Sequence, residues 1–287
     1  MNLETVAIEI REILENKRNE YGLSFEEDNH IYTMNDLKGR PKIDFPSVSS
    51  IIKYFHDEFD SETMSFRKAK GNKKVQEQLL LEWKLSGDYA TNIGSRTHFN
   101  LEKHIISLYG DYKDIRQPIF ECDETQSFIS DKMIKAGKGF IDVMHKRGAI
   151  LLDTEIVLGS PYIGYTGQPD KVWLYFDGKD LGIIITDWKT NKPKNFEIHH
   201  YTNNMYEPFE FLPNNSLGHY NLQLPLYVKL LFDMLKGSKY ENSKLFGCII
   251  VLLKDDSTFE EFRIPKSVYN KILKMNVLEY INNKKNI

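Results

Sequence analysis

The stretch that decides the fold runs from residue 167 to residue 189 and reads GQPDKVWLYFDGKDLGIIITDWK. Two apolar runs, at residues 171–176 and 182–186, flank a turn signal at Asp177-Gly178, and this pattern predicts a β-hairpin. The second run is β-branched and nearly uncharged, which is typical of a buried strand. The sequence therefore predicts a hairpin with at least one strand in the protein core.

Three ionisable residues lie at the open end of this hairpin. Asp170 precedes the first strand, and the second strand ends in Asp187-Trp188-Lys189. Because successive side chains of a strand alternate faces, Asp187 and Lys189 should point one way and Trp188 the other. Two neighbouring carboxylates repel each other unless a cation neutralises them, and oxygen ligands suit Mg²⁺ or Mn²⁺. A lysine beside such an ion can stabilise charge on a phosphoryl group. The alternative is a surface ion pair worth about 0–1 kcal/mol.

Composition limits the class of protein. The chain has 287 residues, of which 41% are hydrophobic and 28% charged, enough for one large domain or two small ones. No apolar run approaches 18 residues, so no membrane span is expected. The acidic amphipathic N-terminus resembles neither a secretory signal nor a transit peptide. Two cysteines cannot form a four-cysteine iron–sulfur site, and they fit a reducing cytosol. The net charge of −3 means that nucleic-acid binding would depend on local basic patches.

The remaining chain alternates helical and strand-like patterns, without an internal repeat or a clear linker. Helices are predicted at residues 1–20, 46–52, 59–89, 121–147, 218–235 and 266–281. A small hairpin is predicted at residues 23–33, and strands at residues 149–158, 246–253 and 259–264. Loops are predicted at residues 36–44, 159–167 and 196–216.

A histidine and a glutamate form the second candidate site feature. His98 and Glu102 are one turn apart on a predicted helix, so they share a face. A metal ligand and the carboxylate that hydrogen-bonds it are arranged in this way, although a lone helical histidine is more often structural. Glu155, on the predicted strand 149–158, is either structural, a support for a ligand, or a further ligand.

Several segments are candidates for nucleic-acid contacts. The predicted cap of the helix at residues 46–52 is Ser47 or Ser49, and amides exposed at such a helix start can hold a phosphate. The aromatic residues of loop 196–216 either stack bases or cover the core. The densest basic run is either a solvated face or a set of phosphate contacts, and it consists of Arg67, Lys68, Lys70, Lys73 and Lys74.

Four separated motifs, GSRTHFNLE, GQPD, DWKT and YNLQLPLY, occur in this order over residues 94–227. Together they resemble the RecB-like branch of the PD-(D/E)XK nuclease superfamily. With FPSVSSII and Glu82-Trp83 upstream, the chain is similar to phage exonucleases related to the mitochondrial genome maintenance exonuclease. The resemblance extends from about residue 24 and covers most of the chain.

This resemblance implies an α/β fold with a restriction-endonuclease-like core, in which a central mixed β-sheet is flanked by helices and an inserted helical segment precedes the core. It implies a single nuclease domain over residues 1–287. Within it, residues 1–45 would form an N-terminal helix and hairpin, residues 46–148 a helical segment carrying His98, and residues 149–287 the core.

The resemblance also implies roles for individual residues. His98, Asp170, Asp187 and the backbone carbonyl of Trp188 would bind Mg²⁺ or Mn²⁺, with no iron–sulfur cluster, and Glu102 and Glu155 would support these ligands. Catalytic roles fall to Asp170, Asp187, Lys189, Gln223 and Tyr227. DNA would be bound by Ser47, Arg67, Lys68, Lys70, Lys73, Lys74 and Arg96.

The expected activity is metal-dependent hydrolysis of DNA phosphodiester bonds by a single-strand exonuclease of replication, recombination or repair, encoded by a phage and acting in the host cytoplasm. The expected partner is single-stranded DNA with a free end, threaded beneath helices of residues 50–89 whose basic run faces it. An endonuclease of restriction or recombination type and a non-catalytic DNA-binding protein on the same fold are the alternatives.

Overall fold

The computed structural model describes residues 1–27, 29–110, 115, 117–198 and 202–285. Its strands are β1 (Ser24–Glu26), β2 (Ile31–Met34), β3 (Ile43–Asp44), β4 (Ile150–Thr154), β5 (Leu158–Ser160), β6 (Tyr165–Gly167), β7 (Lys171–Phe176), β8 (Leu181–Lys189), β9 (Lys244–Leu253) and β10 (Phe259–Arg263). Its helices are α1 (Leu3–Tyr21), α2 (Val48–Ile52), α3 (Ser61–Lys68), α4 (Lys73–Tyr109), α5 (Glu124–Lys146), α6 (Ser216–Met234), α7 (Lys266–Lys274) and α8 (Val277–Lys285).

The centre of the protein is a mixed five-stranded sheet in the order β10-β9-β8-β7-β4. The predicted hairpin is confirmed: β7 pairs antiparallel with β8, and Lys171 lies opposite Thr186. Strand β8 pairs parallel with β9 as far as Lys189, so the ladder includes the Asp187-Trp188-Lys189 end. Parallel neighbours need a crossover connection, and α6 lies within it. The α/β class with a mixed sheet flanked by helices is thus confirmed.

The two faces of the sheet carry different helices. Ile183 and Ile185 of β8 lie in a core built with α1, α6 and α7. Trp188 of β8 and Trp173 of β7 lie in a second core built with α4 and α5, where Phe140 meets Trp188 edge to face. Because side chains alternate along β8, Asp187 and Lys189 share the α6 face. The predicted orientation of this tripeptide is therefore confirmed.

Two predicted helices are each split in the structure. The helix predicted at residues 59–89 is α3 followed by the start of α4, and the break falls where Lys70 and Gly71 both have positive φ. The helix predicted at residues 266–281 is α7 followed by α8, because Met275 is extended. Helix α4 is 37 residues long and carries His98 in its second half.

The predicted loops contain more structure than the sequence suggested. Residues 159–167 were expected to be irregular, but β5 and β6 form a hairpin there. Strand β4 stops at Thr154, so Glu155 lies just beyond the strand on which it was predicted. In the connection 196–216, Phe196 and Phe209 are buried, which favours the core interpretation for them. Tyr201 lies outside the described residues.

Across the described ranges, none of the helices combines the length and the apolar character that crossing a bilayer requires.

Candidate metal centre

Three elements bring potential metal ligands together at the open end of the hairpin. Helix α4 supplies His98, the turn after β4 supplies Glu155, and the residue before β7 is Asp170. One ligand atom from each residue lies within 4.8 Å of the others. Imidazole nitrogen and carboxylate oxygen are both donors for divalent metals, so this triad, His98–Glu155–Asp170, could hold a metal ion.

The GQPD segment stabilises a strained backbone conformation at Glu155. Glu155 has φ of 47°, which a residue with a Cβ rarely adopts. Its N–H donates to the Asp170 carbonyl at 2.9 Å, and the same carbonyl accepts the Thr154 hydroxyl at 3.0 Å. The Gln168 side-chain amide donates to the Glu155 carbonyl at 3.1 Å. These hydrogen bonds hold the turn that directs Glu155 toward Asp170.

The Asp170 carboxylate is fixed by the neighbouring strand. Its Oδ2 accepts the Trp188 N–H at 2.7 Å and lies 3.5 Å from Nδ1 of His98. Burial alone would raise the pKa of Asp170, but interactions with His98, Lys171 and Lys189 outweigh it and leave the pKa lowered. Asp170 therefore remains an anion at neutral pH, as a metal ligand must.

Asp187 contacts a lysine in this structure, whereas the resemblance implies that it binds a metal ion. Its Oδ2 forms an ion pair with the Lys189 ammonium, and within the described residues Asp187 does not belong to the triad. The triad contains Glu155 in its place, which was predicted mainly as a support. The Lys189 ammonium also lies 4.2 Å from the centre of the Tyr220 ring. Lys189 is thus held between a carboxylate and an aromatic face.

The charge states of these groups follow from burial and from one another. Burial lowers the pKa of His98 to about 4, so its imidazole is neutral and able to bind a metal at pH 7. Burial, reinforced by the charge of Asp170, raises the pKa of Asp187 to about 6. Burial alone would lower the pKa of Lys189. The charges of Asp187 and Tyr220 outweigh burial and raise this pKa above its ordinary value, so the ammonium stays charged.

Lys171 is a buried cation that the sequence analysis missed. Its side chain is fully buried, 4.0 Å from Oε1 of Glu155 and 5.0 Å from the centre of the Trp188 ring. Three carboxylates and two ammonium groups leave the cluster one negative charge in excess when Asp187 is ionised. A divalent cation would reverse that excess and favour an anionic substrate. The available signal was an ionisable residue at the first position of a strand predicted to be apolar.

Helix α6 places its predicted residues beside the site. The Gln223 amide donates to the Tyr227 hydroxyl at 2.9 Å, one helical turn away. Burial raises the pKa of Tyr227, and the charges of Asp187 and Asp170 add to the effect. The Tyr227 ring also lies against Gly167, where any Cβ would stand 2.5 Å from a ring carbon. The GQPD motif therefore needs its glycine for close packing. Tyr220, on the same face, was not predicted as a site residue.

Three predicted residues have other contacts. The Ser47 hydroxyl caps α2 by accepting the Ser50 N–H at 3.2 Å. Arg96 donates to the Ser127 carbonyl and to Asp131, which fastens α4 to α5 and does not direct the guanidinium toward the triad. Glu102 lines the same cavity as His98 but lies outside the triad.

The basic run does not lie over the site, contrary to the prediction. Its residues occupy the end of α3, the break after it and the start of α4, and Lys73, the first residue of α4, lies 25 residues before His98 on that helix. At 1.5 Å per residue this separation is about 38 Å. No residue of α4 between positions 73 and 92 is buried, so this half of the helix projects from the core with α3 beside it. We call α3 and residues 73–92 the arm, and residues 67–74 its basic tip.

No protein-family model matches the chain, and no curated protein matches it in sequence. The function is therefore inferred from the chemistry of the triad and its surroundings. The donor set of one neutral imidazole and two carboxylates fits a divalent first-row ion, and an all-oxygen site would be expected for a dedicated calcium centre.

Proposed function

We propose that this protein is a metal-dependent deoxyribonuclease with the restriction-endonuclease-like core of the PD-(D/E)XK superfamily. The observation that carries the proposal is the His98–Glu155–Asp170 triad next to Lys189, whose ammonium is held by Asp187 and Tyr220. A cation site beside a fixed ammonium suits hydrolysis of a phosphodiester, because negative charge increases on the phosphoryl oxygens in the transition state.

The proposed cofactor is Mg²⁺ or Mn²⁺, without an iron–sulfur cluster. When bound by the triad it would supply Lewis-acid polarisation of the phosphoryl group. Lys189 would stabilise the developing negative charge, since its ammonium stays protonated. Tyr220 and Asp187 would limit the positions available to that ammonium. Tyr227 and Gln223 would support the base of the site from α6.

The proposed substrate is single-stranded DNA with a free end, in replication, recombination or repair. The expected threading of the strand beneath the helices of residues 50–89 would have required a free end. It does not support the proposal, because the arm projects away from the triad. The endonuclease alternative is therefore tested directly, by comparing linear with covalently circular single-stranded DNA in Mg²⁺ and in Mn²⁺. Degradation of the linear form alone supports the exonuclease, whereas equal degradation of the circle supports the endonuclease.

The proposed activity is tested with end-labelled single-stranded DNA in Mn²⁺, in Mg²⁺ and in EDTA. We expect hydrolysis in either metal, none in EDTA, and none by Asp170→Asn. Binding of DNA without hydrolysis in any metal would contradict the proposal and support the non-catalytic alternative. Hydrolysis that persists in Asp170→Asn would place the active site elsewhere.

A metal titration separates the triad from the ligand set that the resemblance implies. We expect His98→Ala and Glu155→Ala to weaken Mn²⁺ binding more than about 100-fold, because each removes a direct ligand. Glu102→Ala, on the same wall but outside the triad, should weaken it less, about 10- to 100-fold, as expected of a supporting carboxylate. Activity should be at least as high in Mn²⁺ as in Mg²⁺, since an imidazole ligand favours later metals.

Calorimetric or EPR titration of Mn²⁺ gives these affinities without DNA. Asp187→Ala is the informative fourth variant. A loss as large as that of His98→Ala would show that Asp187 is a ligand in the bound state, whereas a small loss would show that Lys189 is its partner there too. If neither His98→Ala nor Glu155→Ala changes the titration, the triad is not the metal site.

The basic tip should contribute to binding only when the strand is long enough to reach it. A strand stacked as in a duplex, with a rise of 3.4 Å per nucleotide, needs roughly 11 nucleotides to extend from His98 to the tip, and a more extended strand needs fewer. Changing Lys68, Lys70, Lys73 and Lys74 to Ala should therefore weaken binding of a 30-nucleotide strand and reduce the salt slope by ~0.7 for each lost contact. Binding of a 6-nucleotide strand should not change.

The matched control for the tip removes four lysines from α5, Lys132, Lys135, Lys138 and Lys146. Affinity is measured by fluorescence anisotropy at several salt concentrations for both strand lengths. An equal loss for the short and long strands, or an equal loss in the α5 control, would show that the tip makes no specific contact with the substrate.

A further inference from the structure

The triad forms one end of a cavity with aromatic walls. The cavity has a volume of about 550 Å³, within the range of ligand sites, and His98, Glu155 and Asp170 all line it. The β1–β2 hairpin contributes Phe25 and His30 to the lining, and α4 contributes Phe99. Aromatic side chains are therefore present directly beside the candidate metal centre.

The aromatic residues of the hairpin form a packed block. The Phe25 ring stacks on Tyr32 with 4.4 Å between centroids and 21° between planes. The His30 ring stands almost perpendicular to both, at 5.1 Å from Phe25 and 5.4 Å from Tyr32. Tyr32 is buried, whereas Phe25 is half-buried and His30 exposed. A planar ligand would thus meet a surface whose rings are already ordered, which reduces the entropic cost of binding.

His30 is held in this block by an unusual backbone conformation. Its φ is 53°, in the left-handed region that a histidine adopts more often than most residues with a Cβ but still rarely. Strain of this kind persists where surrounding contacts determine it, and it clusters at binding sites. Here the contacts are the rings of Phe25 and Tyr32.

The hairpin is connected to the metal triad through Gln168. The Tyr32 hydroxyl lies 3.5 Å from Oε1 of Gln168, and the amide of the same Gln168 holds the Glu155 carbonyl. The aromatic block and the turn that carries Glu155 therefore share one side chain. A displacement of the aromatic block would therefore shift Gln168 and, with it, the turn that carries Glu155.

The charge of the cavity restricts what the aromatic wall can bind. Its lining includes Glu27, Glu102, Glu155 and Asp170, and no Lys or Arg occurs among the described lining residues. A phosphate outside the metal site would be repelled by these carboxylates. A neutral planar group is not repelled and gains stacking energy on the rings.

We propose that the wall formed by Phe25 and His30, together with Phe99, stacks a nucleobase of the strand whose phosphate lies at the triad. This inference rests on the proposed nuclease function and specifies how that site would hold a single strand. A base paired in a duplex keeps its faces stacked on neighbouring bases, so the wall favours unpaired nucleotides. Base stacking was one of the two alternative roles that the sequence indicated for the aromatic residues of loop 196–216.

The test uses oligonucleotides with 2-aminopurine at one terminal or internal position. They are mixed with the 287-residue chain in Ca²⁺, so that binding is observed without reference to turnover. Stacking on an aromatic ring quenches 2-aminopurine fluorescence. We expect quenching at one position near the bound end. Phe25→Ala and His30→Ala should reduce it and weaken binding roughly 5- to 100-fold, in line with single base–aromatic stacks. Phe128→Ala, an exposed aromatic of α5, is the control and should change neither.

A second oligonucleotide carries an abasic nucleotide at the quenched position. If stacking accounts for the lost affinity, Phe25→Ala and wild type should bind this strand equally. Phe25→Leu preserves apolar packing and should still lose quenching, which guards against a folding defect in Phe25→Ala. Quenching that is the same in wild type, Phe25→Ala and His30→Ala would overturn the inference.

The outcomes separate this inference from the proposed function. Hydrolysis of DNA by wild type without Phe25-dependent quenching would support the proposed nuclease function and contradict the proposal that Phe25 and His30 stack a base. Phe25-dependent quenching without hydrolysis in any metal would support base stacking by the wall and contradict the proposed nuclease function.

Discussion

Replacing Lys189 with methionine is expected to lower the single-turnover rate of DNA hydrolysis about 10²- to 10³-fold. This is the usual cost of removing one group that stabilises transition-state charge. Methionine keeps an unbranched apolar stem, so the side chain can still lie against Tyr220 while the ammonium is lost. Because Lys189 is not a ligand of the triad, Mn²⁺ affinity should be maintained or increased. A large loss of rate with intact metal binding is the signature of a group that acts on the reaction itself.

Two further variants sharpen this test. Lys194→Met removes an exposed lysine from the segment that follows β8, and it should leave the rate unchanged. Lys189→Arg keeps the positive charge but replaces a compact ammonium with a planar fork, and it should not restore the rate. A rate within tenfold of wild type for Lys189→Met would remove this lysine from the mechanism.

The sequence predicted the central hairpin because two independent signals agreed there. Two apolar runs, the second of them β-branched, flank an Asp-Gly turn, and each charged residue falls at an end of a strand. The alternation of a strand then predicts the faces of Asp187, Trp188 and Lys189, and the structure agrees. In the same way, the pattern of residues 218–235 predicted a helix, and Lys189 contacts Tyr220 in the first turns of that helix, α6.

Other features depend on contacts between distant segments and could not be predicted from local pattern. Glu155 joins His98 and Asp170 because β4 stops at Thr154 and Glu155 adopts a positive φ. The turn is stabilised by the Gln168 amide, which donates to the Glu155 carbonyl, and by the Asp170 carbonyl, which accepts the Glu155 N–H. The prediction for the position of the basic run was wrong for a simpler reason. A 37-residue helix carries its first turn far from its middle, and the break at Lys70 and Gly71 that begins it was not recognised.

The aromatic residues illustrate the limit of composition. Phe196 and Phe209 lie in a long connection rich in aromatic residues, yet both are buried and Phe209 packs edge to face on Phe55. Phe25 and His30 lie in a hairpin of two very short strands, yet they line the cavity at the triad. Only the tertiary position of a segment decides which aromatic residues face solvent beside a site.

Asp187→Asn is expected to stabilise the metal-free protein above pH 6 while abolishing hydrolysis. The pKa of Asp187 is raised to about 6 by burial and by Asp170, whereas an unfolded aspartate titrates near ~3.9. The folded state therefore binds this proton more tightly than the unfolded state does. Between these two values the free energy of unfolding falls as pH rises, and above pH 6 the whole contribution is lost. Asparagine resembles the protonated carboxyl and should avoid a cost of about 3 kcal/mol, at ~1.36 kcal/mol for each of roughly two pKa units.

The measurement is urea unfolding in EDTA between pH 4 and pH 8 for wild type, Asp187→Asn and Asp255→Asn. Asp255 lies exposed in the turn between β9 and β10 and serves as the control. The stability difference between Asp187→Asn and wild type should be small at pH 4 and reach its full value at pH 8. A destabilised Asp187→Asn at pH 8 would show that the ion pair with Lys189 outweighs the burial of the carboxylate.

Metal should reverse this pH dependence. A bound cation replaces the proton, so Mn²⁺ affinity of wild type should weaken below pH 6, where Asp187 takes up a proton that reduces the negative charge of the site. His98 does not account for that change, because its pKa of about 4 lies lower. At pH 8, saturating Mn²⁺ should raise the unfolding free energy of wild type according to its affinity and by more than that of Asp187→Asn. The carboxylate that destabilises the metal-free fold would then be the one that the loaded site requires.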